Sequence, residues 1–590
     1  MAGTDAVQTA GFEPCLPGLD RSHDQGSNGD RTTRTDACVR PGRPGTTNVV
    51  ARVVTLVALM VATAPFIGGV ALDIARGWLP ESDDAVISWR AADVLSTHGP
   101  LVGQITLERS QGHTAFDLGP LLYWLLTVPV HLDPVHGALW GAALWCTIAA
   151  GVTVSIGRAI GGPVGALAAA AIFPVLALAL PEMPLDPAWN PSIGLCWYVA
   201  MAACAVAVGS GQRRWLPALV AAGSVAAQCH LSFAVAVPGV VAVALGLGLA
   251  TTPAGARRSW RGPAVVATGV AVACWTPTVI QQLTGRPGNL TAILQGTVGH
   301  HVIGWMTAVR TLGSAVGPHP LWWSRLAAIP PHSLTGAIFR GDVGAALVVT
   351  ALLLAVASVA LHFSYTPLGA AAAVAFALDA GVVVSVARFP NRDLVALYYV
   401  LRAADGAGII SWLVLAWGGA IGCRTVLRWG WIRWKRQAAD GQASNGRRRR
   451  IVTASLLVGA ALAAIVPVPM ALTAEREDPT PAFVGRVAVQ VRSIDAAVRP
   501  MLGRRPVLIT IASDPSLPTG PFASMSLTLG VAWLAHTQGY DVRVPAFDAA
   551  GIGPQAGPLA GIGHVRVTFP HGRPVATLVP GQPAPAPRSG

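Results

Sequence analysis

A polytopic α-helical membrane protein with a small C-terminal α/β domain is the fold class this sequence predicts, and three observations predict it. Of its 590 residues, 53% are hydrophobic and only 12% charged, with a mean hydropathy of +0.53, far from the balance of a soluble globular chain. The apolar residues gather into runs of about twenty, the length a helix needs to cross roughly 30 Å of hydrocarbon. The arginines fall mostly in short segments between those runs, where they act as topology signals. The formal charge of +13 therefore does not describe a basic stripe on a folded surface, and nucleic acid is not an expected partner.

Residues 1–48 are rich in Gly, Asp, Thr and Arg without apolar periodicity, so a disordered cytoplasmic tail is expected there. A cleaved secretory leader has a far shorter charged region before its apolar stretch, so the first run is expected to be a retained helix. Spans are expected at 49–72, 136–158, 163–181, 192–210, 215–229, 232–251, 263–283, 342–362, 367–388, 406–425 and 451–472, eleven in all within a transmembrane domain over 49–472. A cytoplasmic N-terminus puts Arg158, Arg213, Arg214, Arg257, Arg258, Arg261 and the dense segment Arg424 to Arg450 inside, as positive charge near a span requires. The segments 73–135, 182–191, 284–341 and 389–405, and all that follows 472, are then extracytoplasmic.

Residues 473–580 read as an extracytoplasmic α/β domain. Pro506–Ala512 is a buried-strand run, Phe522–Gln538 has helical spacing, and Asp541–Val544, Val565–Phe569 and Val575–Val579 are short strands. Residues 581–590 are a low-complexity end expected to be disordered. The eight cysteines avoid this domain and form no CxxC pair, so neither a disulfide framework nor a zinc site is expected. No Walker A loop, HExxH motif or complete GxGxxG fingerprint is present. Asn289-Leu290-Thr291 fits a glycosylation acceptor, a pattern frequent by chance.

The chemistry-bearing residues lie just after the first span. Glu81-Ser82-Asp83-Asp84 precedes a helix expected over Val86–Leu95, and an acidic pair beside a membrane needs either full hydration or a task. Further on come Asp117-Leu118-Gly119-Pro120-Leu121-Leu122-Tyr123, Trp189-Asn190-Pro191 and Gln228-Cys229-His230. In their order and shared outer-side placement these motifs resemble the glycosyltransferase C superfamily, polytopic enzymes that use polyprenyl-phosphate-linked sugars. Protein mannosyltransferases and arabinofuranosyltransferases are among its members. Those proteins carry an acidic pair in the first outer loop and a His-Pro-Gly-Pro-Leu-Leu-Tyr-like entry to the next helix. Here Asp117 and Leu118 stand in place of the His-Pro.

The resemblance implies an inverting transfer from a polyprenyl-phosphate-linked sugar to a glycan, lipid or protein acceptor in the envelope, in contact with membrane lipid. Asp83 or Asp84 is implied as general base, with the other orienting an arginine, a divalent metal or the sugar. Asp117, Arg90, His113, Tyr123, Asn190 and His230 are the implied substrate-binding residues, the cations among them facing the departing phosphate. His230 leads among these cations, because it sits in a Gln-x-His turn resembling the family's. The C-terminal domain is expected to serve acceptor recognition. Two other classes stay open: a transporter or lipid flippase, for which the mid-span Asp379 is the pointer, and a non-catalytic envelope scaffold.

Overall fold

The computed structural model describes residues 46–438, apart from 111–112, 181–182, 184–186, 298–301, 319, 321, 323–340 and 391–396, and residues 480–579, apart from 504, 513, 515–522, 546–561 and 571–572. Of the tail expected over 1–48, residues 1–45 lie outside the described residues, as do the span at 451–472 with Arg447–Arg450 and the end after 580, while residues 46–48 are already helical. Among the described residues, eight helices are long and apolar enough to cross a membrane.

The first is α1 (Thr46–Ala75), and the second is α4 (Gly137–Ala179). Spans expected at 136–158 and 163–181 are joined in α4, whose path breaks at Gly162, with φ 61° and ψ −148°. Pro163 supplies the reason: it has no N–H to donate and disfavours helical geometry in the residue before it.

Helix α5 (Asn190–Gly209) is the hub of the bundle, buried along almost its whole length. Its run of Ala, Gly and Cys lets neighbouring backbones approach, as membrane helix interfaces require. Around it pack α4, α6 (Leu216–Cys229), α8 (Ala236–Thr251), α13 (Thr366–Ala387) and α14 (Leu397–Ala438). At 14 residues α6 extends about 21 Å, short of a full crossing, and it turns through the four-residue α7 (Leu231–Ala234) into α8. Helices α9 (Arg261–Thr284) and α12 (Val343–His362) complete the apolar set.

The long segment between α1 and α4 has its own architecture. It holds α2 (Ser82–Asp93), an antiparallel hairpin β1–β2 (Ile105–Ser110 and His113–Phe116) and the apolar helix α3 (Leu121–Leu132). The expected helix over Val86–Leu95 therefore begins four residues earlier, so that both aspartates stand in its first turn. Two further helices, α10 (Asn289–Thr297) and α11 (Trp305–Val316), follow α9.

In the C-terminal domain, α15 (Thr480–Val498) and α16 (Ala523–Thr537) pack on a four-stranded sheet of order β4-β3-β5-β6. Strands β3 (Val507–Ile511), β4 (Val542–Arg543) and β5 (Gly563–Thr568) are mutually parallel, while β6 (Val575–Val579) closes the sheet antiparallel to β5. Alternation along β3 buries Val507, Ile509 and Ile511. Each predicted strand of this domain is present within a few residues of its expected bounds.

Asp379 lies on α13 with Ser411 of α14 beside it, the serine hydroxyl 3.2 and 3.0 Å from its two carboxyl oxygens. Both residues are buried, so this carboxyl is a hydrogen-bonded member of a helix interface.

Candidate active site

The site forms where α1 ends, α2, α3 and α5 begin, and α6 hands over to α7. Helix α2 enters through Ser82, whose φ of 45° is a left-handed conformation costly for a residue with a Cβ. Asp83 and Asp84 follow in the first turn, where unpaired backbone N–H groups and the helix dipole favour negative charge. Asp83 Oδ2 accepts a hydrogen bond from Trp189 Nε1 at 3.2 Å. Burial pushes the Asp83 carboxyl above the usual carboxylate range, while the Gln104 and Trp189 side chains pull it back by favouring the ionised form. Gln104 is itself oriented by Tyr123, whose hydroxyl donates to its Oε1 at 3.0 Å. Asp84 is only 6% exposed and so less open to an incoming group than its neighbour, which is of intermediate exposure.

A second node centres on Asp117. Its Oδ2 accepts from Asn190 Nδ2 at 3.0 Å and its Oδ1 from the Leu231 N–H at 3.0 Å, while Asn190 Nδ2 also reaches the Cys229 carbonyl at 2.8 Å. The Asp117 main chain pairs with Gly103 and Gln104. One carboxylate thus ties the stretch before α3 to the start of α5 and to the α6–α7 turn. Gln228 continues the tie, donating to the Cys274 carbonyl at 2.9 Å and accepting from the Leu121 N–H at 3.4 Å. Gly119 permits this closeness: a Cβ there would fall 2.1 Å from Gln228 Oε1 and 2.5 Å from Thr278 Oγ1.

His230 caps α7. Its Nδ1 accepts from the Ser232 N–H at 3.2 Å, and a backbone N–H can only donate, so the neutral ring carries its proton on Nε2. Burial pushes its pKa down to about 4, so the ring is neutral rather than cationic at neutral pH. Arg90 pairs with Asp93 at 3.2 Å within α2. Arg402, on α14, sits over the Trp189 ring with its Cζ 6.0 Å from the centroid, and pairs with Asp405 at 3.7 Å. The guanidinium therefore meets the face of the indole and Asp83 its N–H.

No family model matches this chain, and no curated protein does. Two solved structures are similar to it, both of ArnT from Cupriavidus metallidurans. The crystal structure bound to undecaprenyl phosphate aligns over 89% of this chain and 94% of that one, at 15% identity and a TM-score of 0.45. The apo crystal structure aligns over 88% and 93%, at 17% identity and a TM-score of 0.42.

The structure brings Asp83, Tyr123, Asp117, Asn190 and His230 into two linked networks, with Asp84 and Arg90 on the same helix as Asp83. His113 is placed on β2, opposite Ser110; its side chain lies outside the described residues. Sequence reasoning missed two members. Gln104, buried and accepting from the Tyr123 hydroxyl, is carried by no motif in the sequence. Asn289, read as a glycosylation pattern, is 4% exposed and pairs with the Phe116 main chain in both directions, at 2.9 and 3.0 Å. Its amide therefore works as a staple between β2 and α10. Among the described residues, no group of three or more His, Cys, Asp or Glu side chains is placed to hold a metal.

Proposed function

We propose that this protein is a membrane glycosyltransferase of the C superfamily type, transferring a sugar from a polyprenyl phosphate to a cell-envelope acceptor on the outer face of the membrane. One observation carries the reading. Motifs spread from residue 83 to residue 231 meet in adjoining networks, the Asp83 carboxylate on the Trp189 indole and the Asp117 carboxylate on Asn190 and the Leu231 N–H.

In this reading Asp83 is the general base. A carboxylate offers about four acceptor sites, so the indole N–H of Trp189 leaves room for an acceptor hydroxyl. The acceptor oxygen attacks the anomeric carbon and gives its proton to Asp83, and the bond from that carbon to the phosphate oxygen breaks. The polyprenyl phosphate leaves with the bonding pair. Arg90, His230 through its Nε2–H, and His113 are proposed to face the departing phosphate; Asp117 and Asn190 hold the floor on which sugar and phosphate lie, and Tyr123 orients Gln104. Binding of decaprenyl phosphate to the purified protein in lipid nanodiscs tests the donor half of the proposal. Saturable binding that a neutral polyprenol does not match is the expected result; equal binding of the two counts against a phosphate site.

The pH dependence follows from the Trp189 contact. Asp83 acts as a base only when ionised, so activity falls as pH drops through its pKa. Trp189→Phe removes a donor that favours the ionised form, which raises that pKa and moves the acid limb of the activity profile upward. About one pH unit is expected, because a hydrogen bond to a charged group contributes roughly 1.5 kcal/mol. An acid limb that stays in place in this variant would detach Trp189 from the base.

The orientation belongs to the same proposal. Arg158 donates to the Ala51 carbonyl and Thr55 hydroxyl at 3.2 and 2.8 Å, near the start of α1 and far along the chain from Asp83. This contact supports a positive end opposite the site, which would be cytoplasmic. Cysteines introduced at 437–446 should be labelled only from the cytoplasm and those after 480 only from outside. External labelling at 440 in intact cells would invert the assignment.

A further inference from the structure

The helix that carries Asp83 is not held by the membrane bundle alone. Between α1 and α2 the chain runs through Gly77 to Glu81 without regular structure, and it enters α2 through the strained Ser82. A residue in such a conformation persists when its surroundings over-determine it. The C-terminal domain supplies contacts at two points on this stretch and a third farther along α2. Arg492 of α15 donates from Nη2 to the Gly77 carbonyl at 2.8 Å. Gly77 has φ +77°, and a Cβ there would fall 2.5 Å from that nitrogen. At Gly530 of α16 a Cβ would stand 2.9 Å from the Pro80 carbonyl oxygen and 3.5 Å from Glu81 Cα, so the two backbones touch where only glycine fits. Farther along α2, His536 stacks on Trp89 with centroids 4.6 Å apart and planes 19° apart, and Trp533 lies against the same indole at 5.8 Å. Trp533 in turn donates to the Pro134 carbonyl at 3.0 Å, which ties α16 to the segment between α3 and α4.

Trp89 and Trp533 are 3% and 2% exposed, so this is a dry contact rather than a loose surface encounter. From its middle onward α16 follows α2, touching the residues just before Asp83 through Gly530 and Trp89 through Trp533 and His536. We infer that the C-terminal domain is the clasp that fixes α2 and so sets where the Asp83 carboxylate points, with Arg492, Gly530 and His536 as positioning residues. This role adds to acceptor recognition and, in its catalytic part, rests on the reading of Asp83 as base. Small displacements of a catalytic group are costly, an error of about 1 Å reaching as much as 10²-fold in rate.

Arg492 is exposed, so its replacement spares the core of the domain. The full-length Arg492→Ala protein in nanodiscs should exchange its amides over residues 77–93 about fivefold faster than the parent, as loss of one hydrogen bond predicts, while β3 and β5 exchange as before. Arg492→Lys, which keeps a donor for the Gly77 carbonyl, should recover most of the protection. His536→Phe should keep the stack on Trp89, and His536→Ala should loosen the α2 end alone. In sugar-transfer assays, Arg492→Ala should lower turnover by about fivefold and leave decaprenyl phosphate binding unchanged. Unaltered exchange over 77–93 in both Arg492→Ala and His536→Ala would overturn the clasp. Faster exchange with full turnover would overturn its link to Asp83. A parent that transfers no sugar from any donor would refute the enzymatic reading and with it the link to catalysis, and the exchange pattern would then decide the clasp by itself.

Discussion

Asp83→Asn is expected to slow sugar transfer by about 10²–10⁴-fold, the usual worth of a positioned proton acceptor. The substitution keeps size and polarity, and an amide oxygen can still accept from Trp189 at the position of Oδ2. Insertion and folding should therefore be intact, and decaprenyl phosphate should bind as it does to the parent. Asp84→Asn should lose less, because Asp84 is more deeply buried than Asp83. Turnover under saturating donor, with insertion confirmed in parallel, measures both. A larger loss at Asp84 than at Asp83 would exchange their roles.

Asp117→Ala carries the second large effect, and this one falls on the fold as well as on activity. Removing the carboxylate leaves the Asn190 amide and the Leu231 N–H without their partner at a buried junction. Each orphaned donor costs about 1–3 kcal/mol. The apparent melting temperature in detergent should fall by about 5 °C, and transfer should drop with it, because the α6–α7 turn that carries His230 is released. Asp117→Asn is the milder variant: its carbonyl can serve one donor, but its own amide then meets the other. An unchanged melting temperature in Asp117→Ala would show that the junction is held by other contacts.

Much of the fold was legible because hydrocarbon thickness imposes a length on apolar helices. The breaks were legible as well: Pro163 after Gly162 divides α4 where the apolar pattern divides. Helix α3 was less visible as a helix of its own, since twelve residues containing Pro129 and His131 are too few to span the bilayer. The hairpin β1–β2 hides in a short segment, although the alternation of Ile105, Thr106 and Leu107 hints at a strand there. In the C-terminal domain the strands are β-branched runs bounded by turn residues, and there local pattern suffices.

The site was legible as an ordered set of motifs but not as a network. Asp83 and Trp189 stand 106 positions apart, and Phe116 and Asn289 stand 173 apart. Such pairs depend on how the helices pack, which no local period records. The same limit hid the docking of α16 on α2, since neither Trp89 nor Trp533 differs in sequence context from an interfacial anchor.

The most direct measurement is transfer of labelled sugar by the purified protein in proteoliposomes. It should be run with a panel of polyprenyl-phosphate donors, arabinose and mannose among them, and an envelope extract as acceptor. The proposed mechanism predicts a labelled product from at least one donor, release of the polyprenyl phosphate in equal amount, and loss of both in Asp83→Asn. Near-normal transfer by the Asp83→Asn, Asp84→Asn double variant, or no transfer from any donor by a correctly inserted parent, would contradict it and leave a transporter or an envelope scaffold as the better reading.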